Sequence, residues 1–480
     1  MGPCTGGCPA ILTAALLATA VTIGLAVAAA GEKSASDSRA PSGFLVIPPG
    51  PVTDRIRVEL RLGFRNTSDQ PRSYRVTFHA DRRVPERFIG EQTITVPPGG
   101  TALASAWWPT AGEAGRRRLL YRAVGAGRTY SGSWPLDVVA APTRALPYLQ
   151  GAWLDGLSAT EGLDAQGPAA VQNEIRSAVR AMNRLGMRIL IFTYAEWYGR
   201  FFYPGKVEFY DRDSRKLVRA ADCEVDVIEP IMAEADRTGQ KVFLGLGRSG
   251  DLHLLWEFEK PGWADRNRAA IKVATDVARE LWERYGHHRS FYGWYLTHEM
   301  NDLARSADYY NPVTEFCKSL APEKPVLIAP AGTPIWNADT IRASKVDIIA
   351  PQDAVGSGYM PYVNTWDPNK RIAALEGIYS DYNAVHADTG KHLWTDLEIW
   401  EMDGAHGYGH AYPPSIDRVR KQIDIQKRHV DVLTAYAFFG FMQQPRSKRP
   451  NGNPRAIQLY NDYAAYLRSL PKDVRPPAFR

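Results

Sequence analysis

Cysteine is scarce in this chain, with four residues in 480. Cys4 and Cys8 stand among the first ten residues, which leaves Cys223 and Cys317, neither in a C-x-x-C or Cys/His ligand spacing. A disulfide scaffold is excluded and no metal is expected, while a single Cys223–Cys317 bridge stays open. No G-x-S-x-G elbow and no Ser/His/Asp set stands out, which removes the serine-hydrolase route. Long runs of one charge are also missing. The net charge of +6 is spread along the chain. The densest basic runs, Arg116-Arg117-Arg118 and Ser447-Lys448-Arg449, are short and carry no interleaved aromatics, so nucleic acid is not an expected partner.

What is present is an ordinary globular composition, 45% hydrophobic and 23% charged, in a chain long enough for two or three domains. Thirteen Trp and 23 Tyr supply core, and also the flat apolar faces on which sugar rings pack. Residues 9–30 hold no charge and end in Ala28-Ala29-Ala30 before Gly31. Residues 1–30 read as a signal peptide with an A-x-A-type cleavage site, or as an uncleaved membrane anchor. The n-region carries no Lys or Arg, so both outcomes stay open. Either way the protein is expected outside the cytoplasm: secreted, periplasmic or at the cell surface, free or membrane-tethered. Residues 31–43, rich in Ser, Ala, Asp and Pro, read as a linker.

From 44 to 140 short alternating runs are separated by turn residues. Ile56–Leu62, Tyr74–Phe78, Thr93–Val96 and Leu119–Arg122 are examples, with Asn66–Pro71 and Pro97–Gly100 as connectors. Period-two runs at this spacing predict a small all-β, immunoglobulin-like sandwich. Its expected role is structural; sugar binding through Trp107-Trp108 is the sharper alternative. Across 146–470 strands alternate with amphipathic helices. The expected strands are 151–155, 188–193, 241–245, 292–296, 326–329, 346–350, 392–396 and 433–438. Ile271, Ala274, Val277, Ala278, Leu281 and Tyr285 fall on one helix face, with Gly286 as a C-cap. Eight such units predict an α/β fold, a (β/α)8 TIM barrel.

In such a barrel the reactive groups stand at the C-terminal tips of the strands. Tip one offers Trp153 and Asp155; tip two offers Tyr194, Glu196 and Trp197; tip three offers Arg248. Tip four, at the end of Phe291–Asp302, carries His298, Glu299, Asn301 and Asp302, with Tyr295 just below. Tip six offers Gln352 and Asp353; tip seven offers Trp394, Asp396, Glu398 and Glu401; tip eight offers Gln443 and Gln444. Cleaving a glycosidic bond needs one carboxyl to protonate the leaving oxygen and one carboxylate opposite it. Glu299 and Glu398, on strands four and seven, stand on nearly opposite walls. By the period-two rule Asp396 lies one layer below Glu398.

The segments Gly293-Trp-Tyr-Leu-Thr-His-Glu299, Pro351-Gln-Asp353 and Trp394-Thr-Asp-Leu-Glu398 together resemble a family of bacterial barrel proteins. That family looks like a branch of the clan-A-type glycoside hydrolases. The resemblance covers the barrel and implies Glu299 as acid/base and Glu398 as nucleophile of a retaining mechanism, with carboxyls roughly 5 Å apart. His298 occupies the place where that clan most often has Asn. Trp153, Asp155, Tyr194, Glu196, Trp197, Tyr295, His298, Asn301, Gln352, Asp353 and Trp394 are the expected substrate-binding residues. The expected partner is a polysaccharide or oligosaccharide, and no cofactor is expected. The alternative is a non-catalytic carbohydrate-binding or envelope-assembly protein on the same scaffold. Two motifs are set aside. Gly245-Leu-Gly-Arg-Ser-Gly250 matches a dinucleotide pattern but reads as the loop after strand three. His406 and His410 lie in a Gly-rich loop and read as loop residues rather than metal ligands.

Overall fold

The computed structural model describes residues 41–480 except 161–162, 164–165, 212–213, 215, 220–222, 224, 249–257, 333–335, 359, 361–362, 364, 366, 403–410 and 449–453. The expected leader or anchor, most of the linker, the end of the Gly245–Gly250 motif and the His406–His410 loop lie outside the described residues.

Two antiparallel sheets open the described chain. Gly43–Ile47, Arg57–Arg65 and Thr101–Pro109 form the smaller one. Arg72–Ala80, Phe88–Val96, Gly115–Gly125 and Arg128–Val139 build the larger, to which Val52–Thr53 adds a short parallel edge. Both sheets send alternate side chains into one core that contains Val58, Leu60, Leu62, Phe64, Tyr74, Val76, Phe78 and Trp108. The strand Arg57–Arg65 is buried on both faces. Its other face carries Glu59 and Arg61, 5% and 4% exposed, which lie against the barrel.

The barrel closes from eight parallel strands. In order they are Gly151–Leu154, Ile189–Phe192, Lys241–Gly245, Phe291–Leu296, Val326–Ile328, Ile348–Ile349, His392–Glu398 and Val432–Tyr436, with helices between them. These runs are largely apolar because both of their faces are covered, by lumen on one side and helix on the other. Trp153, Ile191, Phe243, Tyr292, Tyr295, Leu327, Ile348, Trp394 and Val432 fill the lumen. Tyr292 and Tyr295 both point inward because the register between strands three and four slips at Val242/Phe243. The helix Trp263–Tyr285 buries Ala274, Val277, Ala278, Leu281 and Tyr285, as its periodicity predicts. Gly286 caps it in a right-handed conformation, and a Cβ there would meet Trp282 O at 2.4 Å. Close approach, not a left-handed turn, requires that glycine.

The sandwich seals the N-terminal end of the barrel. Leu45 and Ile47 join the lumen cluster, and Tyr292 Oη donates to Val46 O at 2.5 Å. Arg61 Nη2 reaches Asp347 Oδ1 at 2.6 Å and Glu59 Oε2 at 3.0 Å, and Lys318 adds a second cation to Asp347 at 2.9 Å. Burial alone would raise Asp347; Arg61 and Lys318 outweigh it and hold the carboxyl well below the usual range. His392 lies 3.5 Å from Glu59 and 3.7 Å from Asp431, with the Trp107 ring stacked on it at 4.7 Å. Trp107 is thus part of the sandwich–barrel seam, and Trp108 is core. Cys223 and Cys317 are free thiols. Among the described residues no helix is long and apolar enough to cross a membrane.

Candidate active site

Strand seven sets the vertical order of the site. His392, Trp394, Asp396 and Glu398 alternate onto one face, so the column runs from the sealed base to the open end. Glu398, 3% exposed, accepts the Ser357 N–H at Oε2, 2.6 Å away. Burial, then the nearby Asp353 carboxylate, raises its carboxyl to about 7. Asp396 beneath it is 2% exposed and its Oδ1 has no hydrogen-bond partner. Burial first, then Glu398, Asp353 and Glu299, raises Asp396 well above the usual carboxylate range. The carboxyls of strands four and seven therefore share one electrostatic field.

Glu299 is the more open of the two, with 23% of its side chain exposed. Arg248 from the third tip lies beside it, Nη1 at 3.5 Å from Oε1, and its guanidinium rests over the Trp197 ring at 4.8 Å. Trp197 in turn packs on Tyr194, ring centroids 4.5 Å apart. Asp155 Oδ2 accepts from Tyr194 Oη at 2.6 Å and Tyr436 Oη at 3.1 Å, while Oδ1 accepts the Ser158 N–H at 2.8 Å. Strands one, two, three, four and eight are thus tied together on one side of the lumen. Asn301 and Gln352 are half-buried at the rim. The Asn301 carbonyl accepts from Trp336 Nε1 at 3.1 Å, and Asp302 caps the helix Leu303–Leu320 through the Arg305 N–H.

Other expected site residues are enclosed. His298 is buried and packs edge-on against Tyr309 at 4.9 Å, with neither ring nitrogen partnered. Burial, then Arg248, lowers it to about 3, so the ring is neutral. Glu196 is fully buried and its Oε1 accepts the Gly199 N–H at 2.7 Å. Trp153, Tyr295 and Trp394 fill the lumen floor, Trp153 edge-on to Tyr295 and Trp394 edge-on to Phe243. Asp353, 0% exposed, has both oxygens occupied. Oδ1 takes the N–H groups of Val355 and Glu398, at 3.1 and 3.2 Å. Oδ2 takes Gln422 and Gln426, at 2.6 and 2.8 Å. Gln444 bonds Glu174 instead of joining the cluster.

Sequence reasoning passed over the helix that builds this support. Arg418, Gln422 and Gln426 form an i, i+4, i+8 stripe on Ile416–Gln426. Arg418 Nη2 donates to the carbonyls of Glu398 and Trp400 at 2.6 and 2.8 Å, which fixes the end of strand seven. The polar stripe facing inward was the signal available. Tyr198 and Ala354, at φ 46° and 54°, hold left-handed conformations beside the site. Such strain costs roughly 1–3 kcal/mol per residue and concentrates at functional loops. Among the described residues no group of three or more His, Cys, Asp or Glu has the arrangement of a metal site.

The arrangement offers one partly exposed carboxyl and one buried carboxyl near neutrality, ringed by aromatics. No curated protein matches the sequence. Among solved structures, a Bacteroides thetaiotaomicron protein provisionally named an α-L-fucosidase is 20% identical, with a TM-score of 0.52 over 68% of this chain and 95% of that one. That likeness is one of fold. A family 2 β-galacturonidase from Eisenbergiella tayi is 12% identical, with a TM-score of 0.39 over 85% of this chain and 69% of that one. A β-D-glucuronidase from Dictyoglomus thermophilum is 14% identical, with a TM-score of 0.41 over 90% of this chain and 69% of that one. All three carry the names of glycosidases. Residues 149–449, all eight barrel strands included, match a family described as a domain of unknown function, DUF4434, and the chain belongs to that family.

Proposed function

We propose that the protein is a retaining glycoside hydrolase acting on a polysaccharide or glycoconjugate outside the cytoplasm. The observation that carries this reading is the pair of tip carboxyls, Glu299 partly exposed beside Arg248 and Glu398 buried beside the Ser357 N–H, both near enough to raise the Asp396 carboxyl. Glu299 donates its proton to the glycosidic oxygen while the Glu398 carboxylate attacks the anomeric carbon and the C–O bond breaks. Water then gives a proton back to Glu299 as its oxygen displaces Glu398 from the sugar. The Ser357 N–H stabilises the charge that Glu398 must carry in order to attack.

In this reading Trp197, Asp155, Asn301 and Gln352 contact the sugar, and the buried Tyr194 backs Trp197. Trp153, Tyr295 and Trp394 form the floor, and Asp353, Glu196 and His298 position the residues that touch substrate. The N-terminal sheets are read as an immunoglobulin-like domain with a structural role, and residues 1–30 as the export or anchoring segment.

Glu299→Gln and Glu398→Gln are each expected to lower the rate on a cleaved glycan by about a hundredfold or more. A wild-type rate in either variant rules out that residue's role. Tight glycan binding with no cleavage of any glycan in a broad panel would move the reading to the non-catalytic alternative.

A further inference from the structure

At the opposite end of strand seven from Glu398, a cleft of about 530 Å³ opens between the sandwich and the base of the barrel. Seven residue steps separate Lys391 in its lining from Glu398, roughly 20 Å at a strand's rise. The cleft is therefore not an extension of the active site. Its volume is in the range of sites that hold small organic ligands.

The lining has an unusual balance of charge. Asp431 is occupied by Arg144 at 2.6 Å and lies 3.7 Å from His392, and Asp54 is held by the Ala141 N–H and Arg55. Asp388 is exposed at the rim. Against these, no carboxylate among the described residues pairs with Lys391, and the Arg57 guanidinium lies over the Trp107 ring at 5.3 Å. Arg144 Nε is buried with no partner. Burial lowers the Lys391 amine to about 8, outweighing the more distant Asp347 and Glu59 carboxylates, which favour its charge.

His386, 7% exposed, adds a different chemistry. Its Nδ1 faces the Tyr382 carbonyl at 2.8 Å and must donate to it. In the neutral ring Nε2 is then an acceptor, and it is buried without a partner. Burial keeps the ring neutral by lowering it to about 4. A bare oxyanion would satisfy the cations but offers nothing to this acceptor. A hydroxyl does.

We propose that this cleft binds an acidic sugar unit, with its oxyanion held by Lys391, Arg57 and Arg144 and a hydroxyl donated to His386 Nε2. The oxyanion is a carboxylate, sulfate or phosphate carried on the sugar. Such a site holds an anionic glycan at a distance from the catalytic end, and it stands whether or not Glu299 and Glu398 cleave bonds.

Calorimetric titration of the full chain at low ionic strength tests this, with glucuronate, glucose 6-sulfate, glucose 6-phosphate, glucose and inorganic sulfate as probes. At least one acidic sugar is expected to bind at one site per chain, about tenfold or more tighter than glucose and than inorganic sulfate. Lys391→Met and the exposed-site variant Arg57→Gln are each expected to weaken that sugar about tenfold, with thermal melting confirming that both fold. His386→Phe is expected to weaken the acidic sugar and leave inorganic sulfate unchanged. Glu398→Gln is expected to leave this affinity unchanged, which separates the cleft from the catalytic reading. The proposal is overturned if no acidic sugar binds, if inorganic sulfate binds as tightly, or if Lys391→Met and Arg57→Gln bind like wild type.

Discussion

The backbone N–H of Ser357 donates to Oε2 of Glu398 at 2.6 Å, from a loop that begins at the tip of barrel strand six. Next to it, a Cβ on Gly356 would meet the Trp400 carbonyl at 2.1 Å and Glu398 Oε2 at 3.0 Å. Only glycine lets that loop approach closely enough to serve a buried carboxylate. The contact matters because Glu398 must ionise while nearly enclosed.

That requirement sets the pH dependence. With Glu398 raised to about 7, kcat/KM is expected to fall about tenfold per unit as pH drops well below 7, since the free enzyme then holds the nucleophile protonated. Stability runs the other way. A carboxyl whose folded pKa exceeds its unfolded value stabilises fully below about 4.5, and that contribution is lost as pH rises through about 7. The loss is on the order of 3 kcal/mol. Glu398→Gln keeps a neutral group there, so urea unfolding should show it gaining on wild type between pH 5 and pH 8. A pH-independent difference would refute the assignment.

Asp353 accepts four hydrogen bonds and touches no open space. Asp353→Asn turns one acceptor into a donor facing donors, at about 1–3 kcal/mol. Displacing strand seven's end should lower kcat by up to about a hundredfold with KM nearly unchanged, as expected of a positioning residue. Steady-state kinetics with melting curves checks both. A change in KM alone would place Asp353 in contact with substrate.

Arg61 holds two buried carboxylates, Asp347 and Glu59, whose side chains are 5% and 6% exposed. Arg61→Met leaves Asp347 with Lys318 alone and Glu59 with His392, expected to cost about 3 kcal/mol. Chemical denaturation measures it. A loss below about 0.5 kcal/mol would mean that the sandwich and barrel are not energetically joined there.

Gly293 sits inside the lumen, where a Cβ would meet Phe243 Cε1 at 2.5 Å and the Pro325 carbonyl at 2.6 Å. The carbonyl cannot rotate away, so Gly293→Ala is expected to destabilise by about 1–3 kcal/mol. An unchanged urea midpoint would show the lumen to be looser than its contacts indicate.

Much of this fold is carried by local pattern. The eight apolar runs and the helical periodicity around Val277 are properties of a few adjacent residues, and strand polarity alone puts Glu299 and Glu398 at one end. His298, expected to touch substrate, is instead buried against Tyr309, beyond the end of its strand at Leu296, where the strand repeat no longer decides direction. Tertiary approach decided the rest. Glu59 and Arg61 read as an ordinary polar face until the barrel covers them, and their partners Asp347 and His392 lie about three hundred residues away. Asp353 reads as a substrate ligand until Gln422 and Gln426 reach it from another helix. A side chain's face follows from the repeat of its own strand, whereas what covers that face depends on elements distant in sequence, and burial and pKa follow from the cover.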